Sequence, residues 1–263
     1  MLEYIYRYIS FETFVGMIQS KALTFVLPEL WEDPQESKPF YQFLESKEKT
    51  IERMLLIACF QKTYGQCWTK LSESDAMWRI YSYNNKAIRI KAEIEKIALL
   101  KNVHIAPVNY TNSVFEPHND SLDFLASITQ KRTAFEHEKE IRLIDCYKFE
   151  SDEDFFRHVK AFLGVSKHEQ WQQAMDNLFP NLTIEEQVEK ACQLLNIGKS
   201  KQTSKKISFA HVPDFICGVM VHPQSPDWYV KIVEDFCNIN NIPFEGQSTL
   251  YKKYRIIIGA GRL

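Results

Sequence analysis

Glycine is scarce in this chain, eight among 263 residues, and none of the eight sits in a Gly-x-Gly-x-x-Gly or Gly-x-x-x-x-Gly-Lys pattern. That removes the two common glycine-built phosphate cradles, in which the backbone must approach a phosphate with no Cβ in the way. A Gly-x-Ser-x-Gly elbow and a His-Glu-x-x-His pair are also missing, so the usual serine-hydrolase and zincin chemistries have no foothold. The six cysteines (Cys59, Cys67, Cys146, Cys192, Cys217, Cys237) form no Cys-x-x-Cys pair, and the seven histidines show no zinc spacing. This predicts reduced, buried thiols and no metal centre. No apolar run reaches the roughly 18 residues a membrane span needs, and Met1 to Arg7 has no charged leader followed by an apolar stretch. The expectation is a cytoplasmic protein with no membrane partner. A formal net charge of -2 gives no global electrostatic signature, which argues against wrapping duplex DNA as the main task.

What is present is a chain that is 45% hydrophobic, long enough to bury a sizeable core. Its aromatic content of 13%, with 18 Phe, 12 Tyr and 5 Trp, suits large-ring packing and the stacking of planar ligands. We read one α+β domain over residues 1–263. Tyr4 to Tyr8 predicts a strand; Ser10 caps a helix bearing Phe14, Val15 and Ile18; Ala22 to Leu27 is extended again. Asp33-Pro34-Gln35-Glu36 predicts a helix start, with Asp33 as cap, Pro34 at the first helical position and Glu36 closing a capping box. Cys67-Trp68-Thr69 ends a buried strand. Met77, Trp78, Ile80 and Tyr81 recur at helical spacing, which puts Trp78 and Tyr81 on one face. Leu122 to Phe135 predicts a helix.

Between residues 150 and 200 the pattern changes to apolar positions at helical period with clear caps, Ser151 with Asp154 and Thr183 with Glu186, which predicts a helical insertion. Lys199, Lys201, Lys205 and Lys206 then form a basic run in a polar loop, a candidate contact for nucleic acid. After it, Phe215 to Val221 predicts a strand, Ser225-Pro226-Asp227 a helix start, and Thr249 to Ile258 a closing strand.

The most informative stretch is Glu138-Lys139-Glu140-Ile141-Arg142. As a strand from Glu138 to Ile144 it places Glu138, Glu140 and Arg142 on one face and turns Ile141 and Leu143 into a core. The two carboxylates would stand about 6.6 Å apart at the backbone, with Arg142 helping each to keep its charge. Such a pair suits the steadying of a cationic sugar intermediate.

Several of these motifs occur together in a recognisable order. Tyr6-Arg7-Tyr8, Trp31-Glu32-Asp33-Pro34, Cys67-Trp68-Thr69, Met77-Trp78-x-x-Tyr81, Phe135-Glu136-x-Glu138-Lys139-Glu140-Ile141-Arg142 and Ser248-x-Leu250-Tyr251 resemble the pattern of a broad bacterial family defined by a domain of unknown function. The likeness covers most of the chain. More distantly, the opening strand with its cation and the Glu-x-Glu strand resemble ADP-ribosyltransferases, DNA-modifying toxins among them. That resemblance implies an ADP-ribosyltransferase-like mixed β core and NAD as substrate. By position it implies Arg7 on the NAD phosphates, Thr69 on the nicotinamide ribose, Glu140 on its 2′-hydroxyl, and Glu138 orienting or deprotonating the acceptor. Cys67-Trp68-Thr69 stands where that family often has Ser-Thr-Ser at the central strand. In such a site Trp78 or Tyr81 would stack on the departing ring, and Arg142 is a further candidate cofactor-binding residue. It also implies a toxin or phage-defence effector, with RNA or DNA as acceptor and an antitoxin protein as partner. Two other readings stay open from the residues: a non-catalytic nucleotide- or protein-binding module, and a nuclease in which Glu138, Glu140 and Asp33 hold a divalent cation.

Overall fold

The computed structural model describes residues 3–45, 60, 62–114, 116, 122–145, 169–183, 186–187, 190, 193, 202–209 and 215–252. Along the chain these form β1 (Tyr4–Ser10), α1 (Phe11–Ser20), β2 (Ala22–Val26), α2 (Lys38–Glu45), β3 (Tyr64–Thr69) and α3 (Asp75–Tyr81). Then come β4 (Ala87–Glu93), α4 (Ile94–Ala98), β5 (Val103–Pro107), β6 (Asn109–Tyr110), α5 (Leu122–Ser127), β7 (Gln130–Lys131) and β8 (Glu140–Asp145). The last elements are α6 (Glu169–Leu178), β9 (Ser204–Ser208), β10 (Ile216–Val221), α7 (Asp227–Ile239) and β11 (Phe244–Gln247). Among the described residues no helix is long and apolar enough to cross a membrane.

The chain sorts into two compact units: Met1–Ala22, Trp68–Leu99 and Ser208–Leu263 make the first; Leu23–Cys67 and Leu100–Ile207 make the second. In the first, β1 pairs antiparallel with β4 over its whole length, β4 pairs antiparallel with β10, and β10 pairs parallel with β11. Parallel and antiparallel pairs therefore share one sheet, as a mixed α/β fold requires. The Ser10 hydroxyl caps α1 by accepting from the Thr13 amide, and Phe14, Met17 and Ile18 face inward. Ser74 caps α3 in the same way through the Met77 amide. Tyr8, Met77, Trp78 and Ala87 form one apolar cluster.

Trp78 and Tyr81 do not act as a pair. Trp78 is fully buried, with its ring edge-to-face on Tyr8 at 4.7 Å and on His222 at 5.4 Å, while its Nε1 donates to Glu73 at 3.3 Å. No face of the indole is left for a ligand. Residues three apart on a helix differ by about 60° in direction, enough to leave Tyr81 39% exposed.

In the second unit β8 pairs antiparallel with β5 and also pairs with β3, while β3 pairs antiparallel with β2. Short β6 and β7 pair parallel. Phe40, Phe43, Phe60, Ile128 and Ile144 form its apolar cluster. The helix expected from Leu122 to Phe135 stops at Ser127, because the Thr129 hydroxyl donates back to the Leu125 carbonyl at 2.8 Å and the chain turns into β7. The strand expected from Glu138 begins at Glu140: Thr133–Glu138 is a 3₁₀ turn, and Lys139 after it adopts a left-handed φ of 44°. The Thr183–Glu186 capping box forms reciprocally, at 3.3 and 2.8 Å. The expected helix starting at Ser151 lies outside the described residues, and at Thr249–Lys252 there is a turn where a strand was expected.

Because Trp78 fills the first unit's core, Trp78→Ala is expected to lower stability by about 3–5 kcal/mol in urea denaturation.

Candidate functional site

The second unit buries charge around β8. Arg142 is completely buried in that strand; its Nε donates to Glu140 Oε1 at 2.9 Å, its Nη1 to the Ile128 carbonyl at 2.7 Å, and its Nη2 to Glu36. The guanidinium lies over the Trp31 ring, 4.0 Å from its centroid. Gly65 in β3 makes room for that indole, since a Cβ there would meet Trp31 Cζ2 at 2.6 Å. Lys131, brought in by β7, extends its Nζ to Glu138 at 2.7 Å, Glu140 at 3.0 Å and Glu36 at 3.3 Å. Three carboxylates thus share two cations.

Local sequence explains how the acids arrive. Period-two alternation puts Glu140 and Arg142 on one side of β8, where they bond each other. The left-handed turn at Lys139 brings Glu138 back to the same lysine. Asp33 accepts from the Gln35 amide at 3.0 Å and holds Arg132 through two bonds, Nε at 3.0 Å and Nη2 at 2.9 Å. It thereby fixes the 3₁₀ turn Pro34–Ser37, whose Glu36 points inward instead of closing a capping box. The Tyr110 hydroxyl accepts from the Glu140 amide at 2.7 Å, and burial pushes its own pKa up to about 12.

The environments drive the carboxyls apart. Burial alone would raise Glu140, but the charge and hydrogen bond of Arg142, with Lys131, bring it down to about 2. For Glu36 burial prevails over the same two cations, and its pKa is raised. The difference follows from the bonds: Arg142 meets Glu140 through Nε and Nη2, and Glu36 through Nη2 alone. Lys131 and Arg142 are both held more firmly protonated than usual, since their acids outweigh burial. Burial and the Glu140 charge push the Cys67 thiol well up, so it is no thiolate nucleophile.

Glu36 and Lys131 form the floor of a cleft of about 240 Å³. Its walls come from the start of α2 with Lys38 and Gln42, from Gln130 and Arg132, and from Thr111 to Val114. The segment from Thr111 to Val114 therefore has a role as one wall.

Of the residues singled out from the sequence, Glu138, Glu140 and Arg142 come together here. All three are buried, and Arg142 supports the acids without an exposed face for a cofactor. Arg7, Thr69, Trp78 and Tyr81 belong to the first unit. Arg7 is half-buried in β1 opposite Ile90, and Thr69 is buried with its hydroxyl accepting from the Leu71 amide at 3.0 Å. Lys205 and Lys206 lie in β9, where a loop was expected, and Lys205 pairs with Asp145; Lys199 and Lys201 lie outside the described residues. The metal reading loses its ligands: an ammonium, Lys131, already stands among Glu36, Glu138 and Glu140, and Asp33 is committed to Arg132. Among the described residues no group of acids, histidines and cysteines is placed to hold a metal ion.

Sequence reasoning missed Lys131 and assigned Glu36 a local role. The available signal was the Asp33-Pro34-x-Glu36 spacing beside Trp31, a second acid placed two residues beyond a proline turn. Comparison with protein-family models, curated proteins and solved structures gives no match.

Replacing Arg142 by Met leaves three buried carboxylates with one cation, and an expected loss of about 3–5 kcal/mol in urea denaturation. The pH dependence separates the acids. Glu140 binds its proton less readily folded than unfolded, where glutamate sits near about 4.3, so its stabilisation is complete above that value and lost as pH falls toward about 2. Glu36, raised, acts oppositely: its contribution is present at low pH and lost as pH rises through its folded pKa. The stability deficit of Glu140→Gln, about 2–3 kcal/mol at neutral pH, should therefore shrink steadily as the medium is acidified.

Proposed function

We propose that this protein is an ADP-ribosyltransferase-type enzyme that breaks the nicotinamide glycosidic bond of NAD and passes ADP-ribose to a macromolecule. A nucleic acid is the acceptor the exposed lysines of β9 favour, and the sequence likeness to toxins fits growth arrest or phage defence, with an antitoxin protein as partner. The observation that carries the reading is the pair of carboxyls with opposed proton affinities at one cleft: Glu36 on its floor and Glu140 directly behind, bridged by Lys131 and Arg142.

The chemistry follows from charge. When the bond from the ribose carbon to the nicotinamide nitrogen breaks, its electron pair leaves with neutral nicotinamide and positive charge develops on the sugar. A fixed, desolvated carboxylate stabilises that transition state more than the ground state. Glu140, ionised at all physiological pH, supplies the field. Glu36, with its raised pKa, is suited to take the proton that the acceptor hydroxyl sheds as it attacks. Glu138 holds Lys131 in place and so positions both.

One observation favours a second reading. All three donors of Lys131 are spoken for by carboxylates, so the cluster is satisfied without a ligand, as expected of a non-catalytic module whose cleft only binds.

The two are separated by incubating the protein with NAD labelled in the nicotinamide ring, with and without cellular RNA or DNA. The transferase releases nicotinamide; Glu36→Gln lowers transfer by about 10²–10⁴ while the circular dichroism spectrum is retained. No release with any acceptor, or full activity in Glu36→Gln, contradicts the assignment.

A further inference from the structure

We infer that the cleft of the second unit takes a phosphorylated sugar, with Lys38 on the phosphate and the amide and hydroxyl walls on the sugar hydroxyls. This rests on the same site as the reading above, and of NAD only the nicotinamide-side ribose and its phosphate would enter the cleft, both rings lying outside it.

Size bounds the ligand first. At about 240 Å³ the cleft falls below the usual range of roughly 300–1,000 Å³ for sites that enclose drug-sized molecules, so it suits one sugar phosphate and not a whole dinucleotide. Composition is the second constraint. No aromatic side chain lines the cleft and only Pro39 and Val114 are apolar, so a nicotinamide or adenine ring would find no stacking surface within it. The walls offer instead side-chain amides and hydroxyls, among them Gln35, Gln42, Asn112, Ser113 and Gln130, groups that both donate and accept as sugar hydroxyls do.

Charge supplies the third constraint. Asp33 and Arg132 neutralise each other through two bonds, and Lys131 and Glu36 are joined within the buried cluster. Lys38 is the exposed cation of the lining that makes no ion pair among the described residues. An ammonium at the rim, above neutral polar walls, selects an anion. Asn112 is pre-set: its Nδ2 donates to the Thr133 hydroxyl at 2.6 Å and its Oδ1 accepts from the Thr133 amide at 3.3 Å, which fixes the wall that faces the ligand. The carboxyl of Glu36 on the floor is placed to meet a sugar hydroxyl.

The test is calorimetric titration of the full chain with ribose 5-phosphate, ribose, inorganic phosphate and nicotinamide. Ribose 5-phosphate is expected to bind more tightly than ribose or phosphate alone, and nicotinamide not to bind. Lys38→Ala, at an exposed position, should weaken ribose 5-phosphate about tenfold, the loss of one charge-assisted bond, and leave ribose unchanged. Equal affinity for inorganic phosphate and ribose 5-phosphate, binding of nicotinamide in preference, or an unaltered Lys38→Ala overturns the inference. The two proposals fail separately. Ribose 5-phosphate binding without nicotinamide release from NAD sustains this one against the transferase, whereas release without such binding does the reverse.

Discussion

A guanidinium with no exposure to water is the constraint around which the second unit is arranged. Arg142 cannot lose its proton, and desolvating it is costly enough that its donors must be met inside the protein. Glu140, two residues back on the same face of β8, meets part of the need; the Ile128 carbonyl meets another part. What remains must come from a distant segment, and it comes from Glu36. That demand explains why Asp33 and Arg132 clamp the turn before α2, why Trp31 lies over the guanidinium, and why β3 carries a glycine beneath Trp31.

The cluster holds one more acid than base. If every carboxyl were ionised, an uncompensated negative charge would sit in low dielectric, so the cluster favours one carboxyl keeping its proton. Glu36 has fewer charged bonds than Glu140 and takes that part. The outcome is two carboxyls in contact with the same cations but with opposite proton affinities, one of them on the floor of a cleft. Stability and proton exchange are thus linked: the imbalance weakens the fold slightly and leaves at the cleft a carboxyl able to exchange a proton.

Much of this was legible in the sequence and some was not, for identifiable reasons. The caps at Ser10 and Ser74 and the capping box at Thr183 and Glu186 are local, and local hydrogen bonds decide them. The pairing of Glu140 with Arg142 follows from strand alternation. The full set could not be read, because Glu36 and Lys131 reach Arg142 across long stretches of chain. Asp33-Pro34-x-Glu36 has a satisfactory local explanation as a helix start that is half correct: Asp33 caps, but Glu36 is taken by a stronger, remote partner. Trp78 misled for the opposite reason. Helical spacing gives the faces of α3 but not which of them the core claims, and burial took the indole out of reach of any ligand.

The central claim, that one buried cluster holds two carboxyls driven in opposite directions, is tested most directly by following the side-chain carboxyl carbons of isotopically labelled glutamate by NMR during a pH titration, with Glu36→Gln and Glu140→Gln to assign the signals. The account predicts that Glu36 titrates above the ordinary glutamate value of about 4.3 and Glu140 well below it. Finding both at the ordinary value, or the order reversed, would contradict it.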